Sequence, residues 1–374
     1  MENIENTVCR SDSSFLGYSA RNPLIIAELG TGHNGDRKKA LELIDAASEA
    51  GTRCIKVQIV YADEILHPNT GTVMLPGGPV RLYDRFKSIE VSPDFFLELK
   101  EYSESKGLMF LATPFGLQSA RELRALNPYA IKIASPELNH IPLLKEVASY
   151  GIPVILSSGV STVADIEQAV TLLSASAVPL CLLHCVTAYP APETAYNVRV
   201  LRSLNAIFGI PVGISDHSLD PYTVPVLAVA MGAAVIEKHF CLSRSDSGLD
   251  DPIALTPKDF AALVQAVTRA ANTEPETVIA GMAAEKGAAF VNAVLGSGVK
   301  KLAAAEAENY GRTSRSIHAV RDLIPGTTLG ESDITIVRTE KTLRVGVPPS
   351  FDVIGCTIKQ FIPAGEGIRF EDLY

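Results

Sequence analysis

Short apolar segments alternate with longer amphipathic ones over most of the chain. The apolar segments are rich in Ile, Val and Leu, which is typical of strands buried on both faces of a parallel sheet. On this basis we predict eight strands, over residues 24–30, 54–60, 109–115, 130–135, 153–159, 180–186, 211–217 and 234–240.

The segments between these strands carry apolar residues at helical spacing, such as Ala40, Leu43, Ile44 and Ala47. Helices are predicted over residues 36–50, 94–106, 117–126, 141–149, 162–174, 198–208, 221–231 and 256–271. Eight strands alternating with helices predict an α/β fold, a (β/α)8 TIM barrel over residues 23–275. The alternative is an open doubly wound sheet, which usually has fewer strands and a glycine-rich fingerprint that residues 29–35 do not match.

Four further segments lie outside this alternating pattern. Residues 1–22 are predicted to be an N-terminal tail, and the insertion at 63–93 a loop or lid over the barrel mouth. Residues 276–310 are rich in Ala, Gly and Glu and predict a helical linker. Residues 311–374 form a second domain in which 324–334 resembles 362–373. This repeat predicts a small pseudo-symmetric fold of short strands and turns.

Composition excludes several classes of protein. The chain has 374 residues, 47% of them apolar, so it can bury a large core. A formal net charge of −9 argues against a nucleic-acid partner. No apolar run is long enough to span a membrane, and Met1 to Arg10 contain no signal-peptide core. The six cysteines form no C-x-x-C motif and predict reduced thiols. We therefore expect a cytoplasmic protein without a membrane partner.

Ionisable and polar residues collect at the carboxyl ends of the predicted strands. This is the rim at which barrel enzymes place their chemistry, and buried charges are costly unless paired, so the pattern predicts an enzyme. The residues are Glu28, Lys56, Gln58, Thr113, Lys132, Ser135, Ser157, Ser158, His184, Ser215, His217, Glu237 and His239.

Two kinds of site are indicated at this rim. His217 and His239, on consecutive strands and near Glu237, suit a divalent metal that polarises a carbonyl. Lys56 and Lys132, together with a helix that begins just after Ser158-Gly159, suit a phosphate or carboxylate. Together they indicate carbon–carbon bond formation or isomerisation of a phosphorylated compound.

Several motifs resemble those of the sialic acid synthase family, whose small C-terminal domain is an SAF domain similar to type III antifreeze protein. The matching stretches are Ala27-Glu-Leu-Gly-Thr-Gly-His-Asn-Gly35, Lys56-Val-Gln58, Thr113-Pro-Phe115, Lys132-Ile-Ala-Ser135 with Glu137, Ser157-Ser-Gly159, Leu183-His-Cys185, Tyr189-Pro-Ala-Pro192, Gly213-Ile-Ser-Asp-His217, Glu237-Lys-His-Phe240 and Arg315-Ser-Ile317. The resemblance covers residues 23–374.

The resemblance implies a metal-dependent nonulosonic acid synthase. Such an enzyme condenses phosphoenolpyruvate with an N-acyl-mannosamine-type sugar and releases phosphate, with Mn²⁺ or Mg²⁺ as cofactor. It implies His217 and His239 as metal ligands. The implied phosphoenolpyruvate site is Lys132, Ser135, Ser157, Ser215 and Tyr189, and the implied sugar site is Glu28, Gln58 and Asp250. The candidate catalytic residues are Glu28, Lys56, Glu137 and Glu237, and Ser158 and His184 are further candidates for substrate binding.

The resemblance also implies that Arg315 reaches the barrel of a partner chain, in a domain-swapped homodimer, and contacts the sugar there. Two other functions stay open. A Schiff-base aldolase would use Lys132 as its nucleophile and would need no metal. A non-catalytic sugar-binding or polysaccharide-assembly protein would keep the barrel without turnover.

Overall fold

Eight parallel strands close into a barrel in the computed structural model, which describes residues 13–75, 78–340 and 342–374. The ring is closed by pairing of the first strand with the last, in the register Leu24↔Val235. The strands are β1 (Leu24–Gly30), β2 (Cys54–Ile59), β3 (Met109–Pro114), β4 (Ala130–Ile133), β5 (Val154–Ser157), β6 (Leu180–Cys185), β7 (Val212–Asp216) and β8 (Val235–His239). The predicted TIM barrel is confirmed.

Helices cover the outside of the barrel, and the eight predicted from periodicity are all present. In the first, Asp36 caps the amino end by accepting from the N–H groups of Lys38 and Lys39. The helices are α1 (Arg37–Glu49), α2 (Ala62–Ile65), α3 (Leu82–Lys87), α4 (Pro93–Ser105), α5 (Leu117–Leu126), α6 (Ile141–Ala148), α7 (Val163–Ser174), α8 (Val200–Phe208), α9 (Thr223–Ala230), α10 (Pro257–Ala271), α11 (Pro275–Lys286) and α12 (Ala288–Leu295). Within the described ranges, no helix is long and apolar enough to cross a membrane.

The described part of the predicted N-terminal tail, residues 13–22, is folded against the barrel. Residues 1–12 lie outside the described residues. Phe15 is 1% exposed and packs against Leu24, Leu111 and Val235 in the barrel interior. Bridges from Phe15 to Tyr18 and from Ser19 to Asn22 fold this segment tightly. Residues 13–22 therefore belong to the barrel, because an aromatic side chain buried there removes a large apolar area from water.

The insertion between β2 and β3 is more ordered than a loop. It holds α2, α3 and a short hairpin of strands Val73–Leu75 and Gly78–Val80. Ile65 and Phe86 of this insertion pack with Phe115, which follows β3. The insertion is therefore anchored to the barrel rim by an apolar cluster.

The segment predicted as a linker folds back on the barrel. Val278 and Met282 of α11 and Val294 of α12 are buried in the main apolar core. The Val198 and Arg199 N–H groups donate to the carbonyls of Val294 and Leu295. Since α11 and α12 are part of the barrel's outer layer, only residues 296–310 connect the two domains; we call this connection the strap.

The C-terminal domain has an antiparallel pair of strands, β9 (Arg315–Ala319) and β10 (Ile334–Arg338), over its own apolar core. The predicted repeat appears as two 3-10 turns, Glu331–Asp333 and Phe370–Asp372. In each turn the aspartate accepts from a backbone N–H three residues earlier, that of Gly330 at 2.9 Å and that of Arg369 at 2.8 Å. The repeated sequence thus makes the same local structure twice.

Candidate active site

A cavity of about 240 Å³ opens at the carboxyl ends of the barrel strands. Twelve of the sixteen candidate catalytic, substrate-binding and metal-binding residues line it, as does the rim residue Thr113, as expected for side chains at the rim of a parallel barrel. The twelve are Glu28, Lys56, Gln58, Lys132, Ser135, Ser157, Tyr189, Ser215, His217, Glu237, His239 and Asp250.

Acidic and basic side chains alternate across the floor of this cavity. Lys56 Nζ lies 2.7 Å from Glu28 Oε2 and 3.7 Å from Glu237 Oε2. Lys132 Nζ lies 3.8 Å from Glu237 Oε1 and donates to Ser157 Oγ at 2.6 Å. All these groups are nearly inaccessible to water, so each charge depends on its neighbours for compensation.

The surroundings of Lys56 and Lys132 shift their pKa values in opposite directions. Burial lowers the pKa of Lys56, but Glu237 and Glu28 outweigh it and raise the pKa above its ordinary value. Burial lowers the pKa of Lys132 and dominates there, since Lys56 opposes the attraction of Glu237. Burial raises the pKa of Glu237, but Lys132 and Lys56 with a hydrogen bond from Ser215 bring it down to about 2. Glu237 is therefore a carboxylate that both lysines share.

The two predicted metal ligands lie side by side on the cavity wall. The ring centroids of His217 and His239 are 5.4 Å apart, and the Tyr189 ring stacks on His217 at 4.4 Å. His217 Nδ1 is 2.9 Å from the Val186 carbonyl, which can only accept, so Nδ1 carries the proton and Nε2 is the available ligand atom. Asp250 Oδ2 lies 3.7 Å from His239 Nδ1.

The structure does not bring Ser158 and His184 to the cavity, because side chains alternate along a strand. Ser157 faces the cavity, so Ser158 faces away, and its hydroxyl donates to the Leu183 carbonyl. His184 likewise points outward, between Leu183 and Cys185, and its Nε2 donates to the Tyr196 carbonyl at 2.7 Å. Burial lowers the pKa of His184 to about 3, as for a neutral structural histidine.

Glu137 and Arg315 also lie outside the cavity wall, where they pair with each other. Arg315 Nη2 donates to Glu137 Oε1 at 2.8 Å, and both side chains are fully buried. Arg338 Nη2 donates to the same oxygen at 2.7 Å. Arg315 and Arg338 are opposite each other in the β9–β10 register, which places both on one face of the pair. Glu137 thus links the barrel to the C-terminal domain through both arginines.

The predicted helix amino terminus does not present a free anion site next to Ser158-Gly159. Gly159 N–H donates to Ser135 Oγ at 2.9 Å. Thr162 and Asp165 form a capping box at the start of α7 and bond each other's N–H groups. The N–H groups of Gly159, Thr162 and Asp165 are therefore already bonded, whereas the cations Lys56 and Lys132 line the cavity.

Sequence reasoning missed several residues of the cavity wall. The most informative is Arg338, the C-terminal domain's cation in the cavity, whose guanidinium lies 5.4 Å from the centre of the Phe115 ring. Cys185 was predicted only to be one of six reduced thiols, yet its Sγ lies 3.9 Å from His217 Nδ1. Leu183 and Cys185 are two residues apart on β6, so their side chains share the inner face of the barrel. Strand alternation would therefore have placed Cys185 in the cavity wall. The remaining wall residues missed are Thr31, Val60, Ile65, Phe86, Phe115, Ala134, Pro136, Thr187 and Leu249.

Comparison with known proteins agrees with this geometry. The sequence model of the NeuB family matches residues 43–277, and that of the SAF domain matches residues 314–373. The chain belongs to the NeuB family. The predicted family, the barrel with an SAF domain and the prediction of an enzyme are thereby confirmed.

Relatives of this NeuB-family chain include named synthases. N,N'-diacetyllegionaminic acid synthase of Legionella pneumophila is 32% identical over 93% of this chain and 94% of its own length. The spore coat polysaccharide biosynthesis protein SpsE of Bacillus subtilis has 30% sequence identity to this chain. Its crystal structure matches with a TM-score of 0.78 over 100% of this chain and 99% of that one. The N-acetylneuraminic acid synthetase of Leptospira borgpetersenii, in complex with citrate, is 33% identical, with a TM-score of 0.65 over 80% and 95%.

Proposed function

We propose that this NeuB-family enzyme condenses phosphoenolpyruvate with the aldehyde of an open-chain N-acyl amino sugar to form a nonulosonic acid. The observation that carries the proposal is the joint presence, in one cavity, of the buried cations Lys132 and Lys56 and the imidazole pair His217 and His239. The cations suit an anionic nucleophile, and the imidazoles suit activation of a carbonyl electrophile.

The anionic substrate would lie on Lys132. This lysine, with Ser157, Ser215 and Ser135, presents a compact charge and hydroxyl donors from neighbouring strands. Tyr189 is half-exposed and stacks on His217, so it would cover the substrate from the mouth. This arrangement would hold the enol carbon of phosphoenolpyruvate against the aldehyde and supply orientation, which a weak nucleophile needs.

The predicted divalent metal, Mn²⁺ or Mg²⁺, would find imidazole nitrogens and carboxylate oxygens on the wall of this cavity. The three carboxylates and three cationic side chains of the wall offset one another, so a substrate with a phosphate and a carboxylate gains from an added cation; these residues are Glu28, Glu237, Asp250, Lys56, Lys132 and Arg338. His217 and His239 would hold the metal. Among the described residues, no group of three or more His, Cys, Asp and Glu side chains is arranged as a metal site. A two-imidazole set leaves positions for water or substrate oxygens, and the bound metal would polarise the sugar carbonyl.

The sugar would face Glu28, Gln58, Asp250 and Arg338. Gln58 Nε2 donates to Glu28 Oε1 at 2.8 Å, which orients both side chains toward the cavity. The donor from the SAF domain would be Arg338 and not Arg315. Within the described chain, Arg338 Nη1 has no hydrogen-bond partner, whereas Arg315 also donates to the carbonyls of Glu64 and Phe115.

The chain's own carboxylates would manage protons in the reaction. Carbon C3 of phosphoenolpyruvate attacks the aldehyde carbon, and water adds to C2, the carbon that carries the phosphate oxygen. One proton of this water goes to the new hydroxyl formed from the aldehyde oxygen. The C2 hydroxyl then loses the second proton to form the ketone as the C2–O bond breaks, and this proton leaves with phosphate. Glu28, paired with Lys56, would accept a proton of this water. Glu237 would stay ionised between the lysines and keep Lys132 oriented toward the anion, since lysines on both sides stabilise the carboxylate. Glu137 would act through Arg338.

The predicted domain-swapped homodimer stays a prediction. Helices α11 and α12 are packed on the barrel and do not form a long spacer. An exchange between two chains would have to occur through the strap.

A Schiff-base aldolase on Lys132 is the second candidate. Such a lysine must be neutral to attack a carbonyl, and burial lowers the pKa of Lys132 in that direction. The competing observation is that Lys132 Nζ donates to Ser157 and to the Ile133 carbonyl, which positions it as a fixed donor.

A panel of sugars tests the proposed function. The enzyme, Mn²⁺ and phosphoenolpyruvate are incubated separately with N-acetylmannosamine, its 6-phosphate and a diamino-dideoxy sugar. The products are identified by mass spectrometry. We expect one sugar to give a product three carbons longer, with one phosphate released per product. No such product with any sugar, from a protein shown to be folded, would favour the non-catalytic alternative.

A further inference from the structure

The strap does more than connect the two domains, because it is hydrogen-bonded to two loops of the active-site rim. Lys300 Nζ donates to the Ser158 carbonyl at 3.0 Å. Glu306 Oε2 accepts from the Thr187 N–H at 2.8 Å, and Asn309 Nδ2 donates to the Thr187 carbonyl at 3.2 Å. Both backbone groups of Thr187 are therefore bound by the strap.

These two loops carry the proposed anion site. Ser158 follows Ser157, the hydroxyl that accepts from Lys132. Thr187 lies in the cavity wall, two residues before Tyr189. The loops also touch each other, since a Cβ on Gly159 would lie 2.1 Å from Thr187 Oγ1. A displacement of either loop would therefore move groups that face the anion.

Glu306, in the middle of the strap, is an unusual residue for a segment that only connects two domains. The Glu306 side chain is 1% exposed, and its other oxygen accepts from the Ala303 N–H at 3.4 Å. A buried carboxylate is costly unless it is bonded or paired. Burial lowers the pKa of nearby Lys300, and Glu306 opposes that shift. A solvent-exposed polar residue would be sufficient in a segment that only links two domains. The buried carboxylate therefore indicates that Glu306 positions the loop that contains Thr187.

We propose that Glu306 is a positioning residue that fixes the loop at 186–189 for binding of phosphoenolpyruvate. The inference rests on the proposed function. The strap ends at the SAF domain, so the same segment that brings Arg338 to the sugar side also orders the anion side. Assembly of the two halves of the substrate site is thereby coupled through one chain segment.

The test compares three variants in the full-length protein. Glu306→Ala removes both acceptor oxygens, and Glu306→Gln keeps one oxygen for the Thr187 N–H. Glu308→Ala, in the same 3-10 turn but exposed, is the matched control. Binding of phosphoenolpyruvate is measured by calorimetry, and KM for each substrate, kcat and Tm are measured in parallel.

We expect Glu306→Ala to weaken phosphoenolpyruvate binding and raise its KM by about tenfold to a hundredfold, the size of one lost hydrogen bond to a charged group. KM for the sugar should change less than threefold, and Glu306→Gln should recover most of the loss. Unchanged phosphoenolpyruvate binding in Glu306→Ala would overturn the inference. Equal losses for both substrates with a lower Tm, or no recovery in Glu306→Gln, would do the same. If the wild-type protein itself does not bind phosphoenolpyruvate, the proposed function fails first.

Discussion

The rings of His217 and His239 lie 5.4 Å apart, centroid to centroid, on the wall of one cavity. They come from adjacent strands, β7 and β8, which are in register up to Asp216↔Lys238. The next position on each strand is therefore a histidine, and the barrel's parallel pairing brings the two together. This relationship is the basis of the proposed metal site.

Removal of either imidazole should abolish turnover without unfolding the protein. For His217→Ala and His239→Ala we expect kcat to fall at least about a hundredfold, because the carbonyl would no longer be polarised. The circular dichroism spectrum and Tm should stay close to those of the wild type, since neither ring is part of the apolar core. Wild-type activity of either variant in metal-stripped buffer would contradict the assignment of these residues.

Metal affinity should depend on pH over a defined window. Burial lowers the pKa of His217, but Cys185 at 3.9 Å, the Val186 carbonyl and Asp216 raise it to about 9. Burial lowers the pKa of His239 below its ordinary value. A histidine must lose its proton to bind metal, so below pH 9 the association constant should fall about tenfold per pH unit through His217 alone.

Titration calorimetry with Mn²⁺ at pH 7 should accordingly show about one proton released per metal bound. Cys185→Ala removes the main cause of the raised pKa, so this variant should release fewer protons and bind metal more tightly at pH 7. The same pH dependence in wild type and Cys185→Ala would show that the thiol does not control His217.

Lys132 should act as a point charge for the anion. Lys132→Ala should raise KM for phosphoenolpyruvate roughly tenfold to a hundredfold, the range for a lost charged hydrogen bond, and leave KM for the sugar nearly unchanged. Borohydride added during turnover with wild-type protein decides between mechanisms. A covalent adduct at Lys132, found by peptide mass spectrometry, would establish the aldolase in place of the proposed condensation.

Arg315 and Arg338 should separate into a structural and a substrate-binding role. Arg315→Ala leaves Glu137 buried with one partner fewer and should lower the free energy of unfolding by roughly 3–5 kcal/mol. Arg338→Ala should instead raise KM for the sugar, with a smaller loss of stability, because its guanidinium is partly exposed in the cavity. Chemical denaturation and steady-state kinetics distinguish them. Equal effects of both variants on the sugar KM would return Arg315 to the sugar site.

Mixed dimers test whether the SAF domain serves a partner's barrel. An Arg338→Ala chain is combined with a His217→Ala chain and assayed at a sugar concentration well below the KM of Arg338→Ala, where each variant alone should have little activity. If the SAF domain acts across the dimer, one site holds an intact barrel and an intact Arg338, and activity should recover to up to half. Recovery would be absent, in a sample shown to contain heterodimers, if each domain serves its own barrel.

Much of the barrel and its rim could be predicted from the sequence. The spacing of apolar residues and the ends of the strands depend on short stretches of sequence. The pattern of β1 through β8 fixes which residues end each strand, and so His217, Glu237 and His239 could be placed together. Alternation within a strand was also available, and it would have excluded Ser158 and His184 from the cavity.

Contacts between distant segments could not be predicted in this way. Phe15 packs into the barrel interior only because the closed ring leaves an apolar site there, which no local pattern shows. Arg338 could not be proposed beside Arg315, because the β9–β10 register that places the two arginines opposite each other is a property of the folded domain. Glu306 lies in the segment that the sequence predicted as a helical linker, and its contact with the Thr187 loop is known only from the folded structure.

Phosphoenolpyruvate labelled with ¹⁸O in the oxygen between carbon and phosphorus tests the central claim most directly. Metal-stripped protein is assayed with and without Mn²⁺, and with and without the active sugar, and the isotope content of the released phosphate is measured. We predict that phosphate is released only when both metal and sugar are present, and that it carries the label because the carbon–oxygen bond breaks. Unlabelled phosphate, or release that needs neither metal nor sugar, would contradict the proposed reaction.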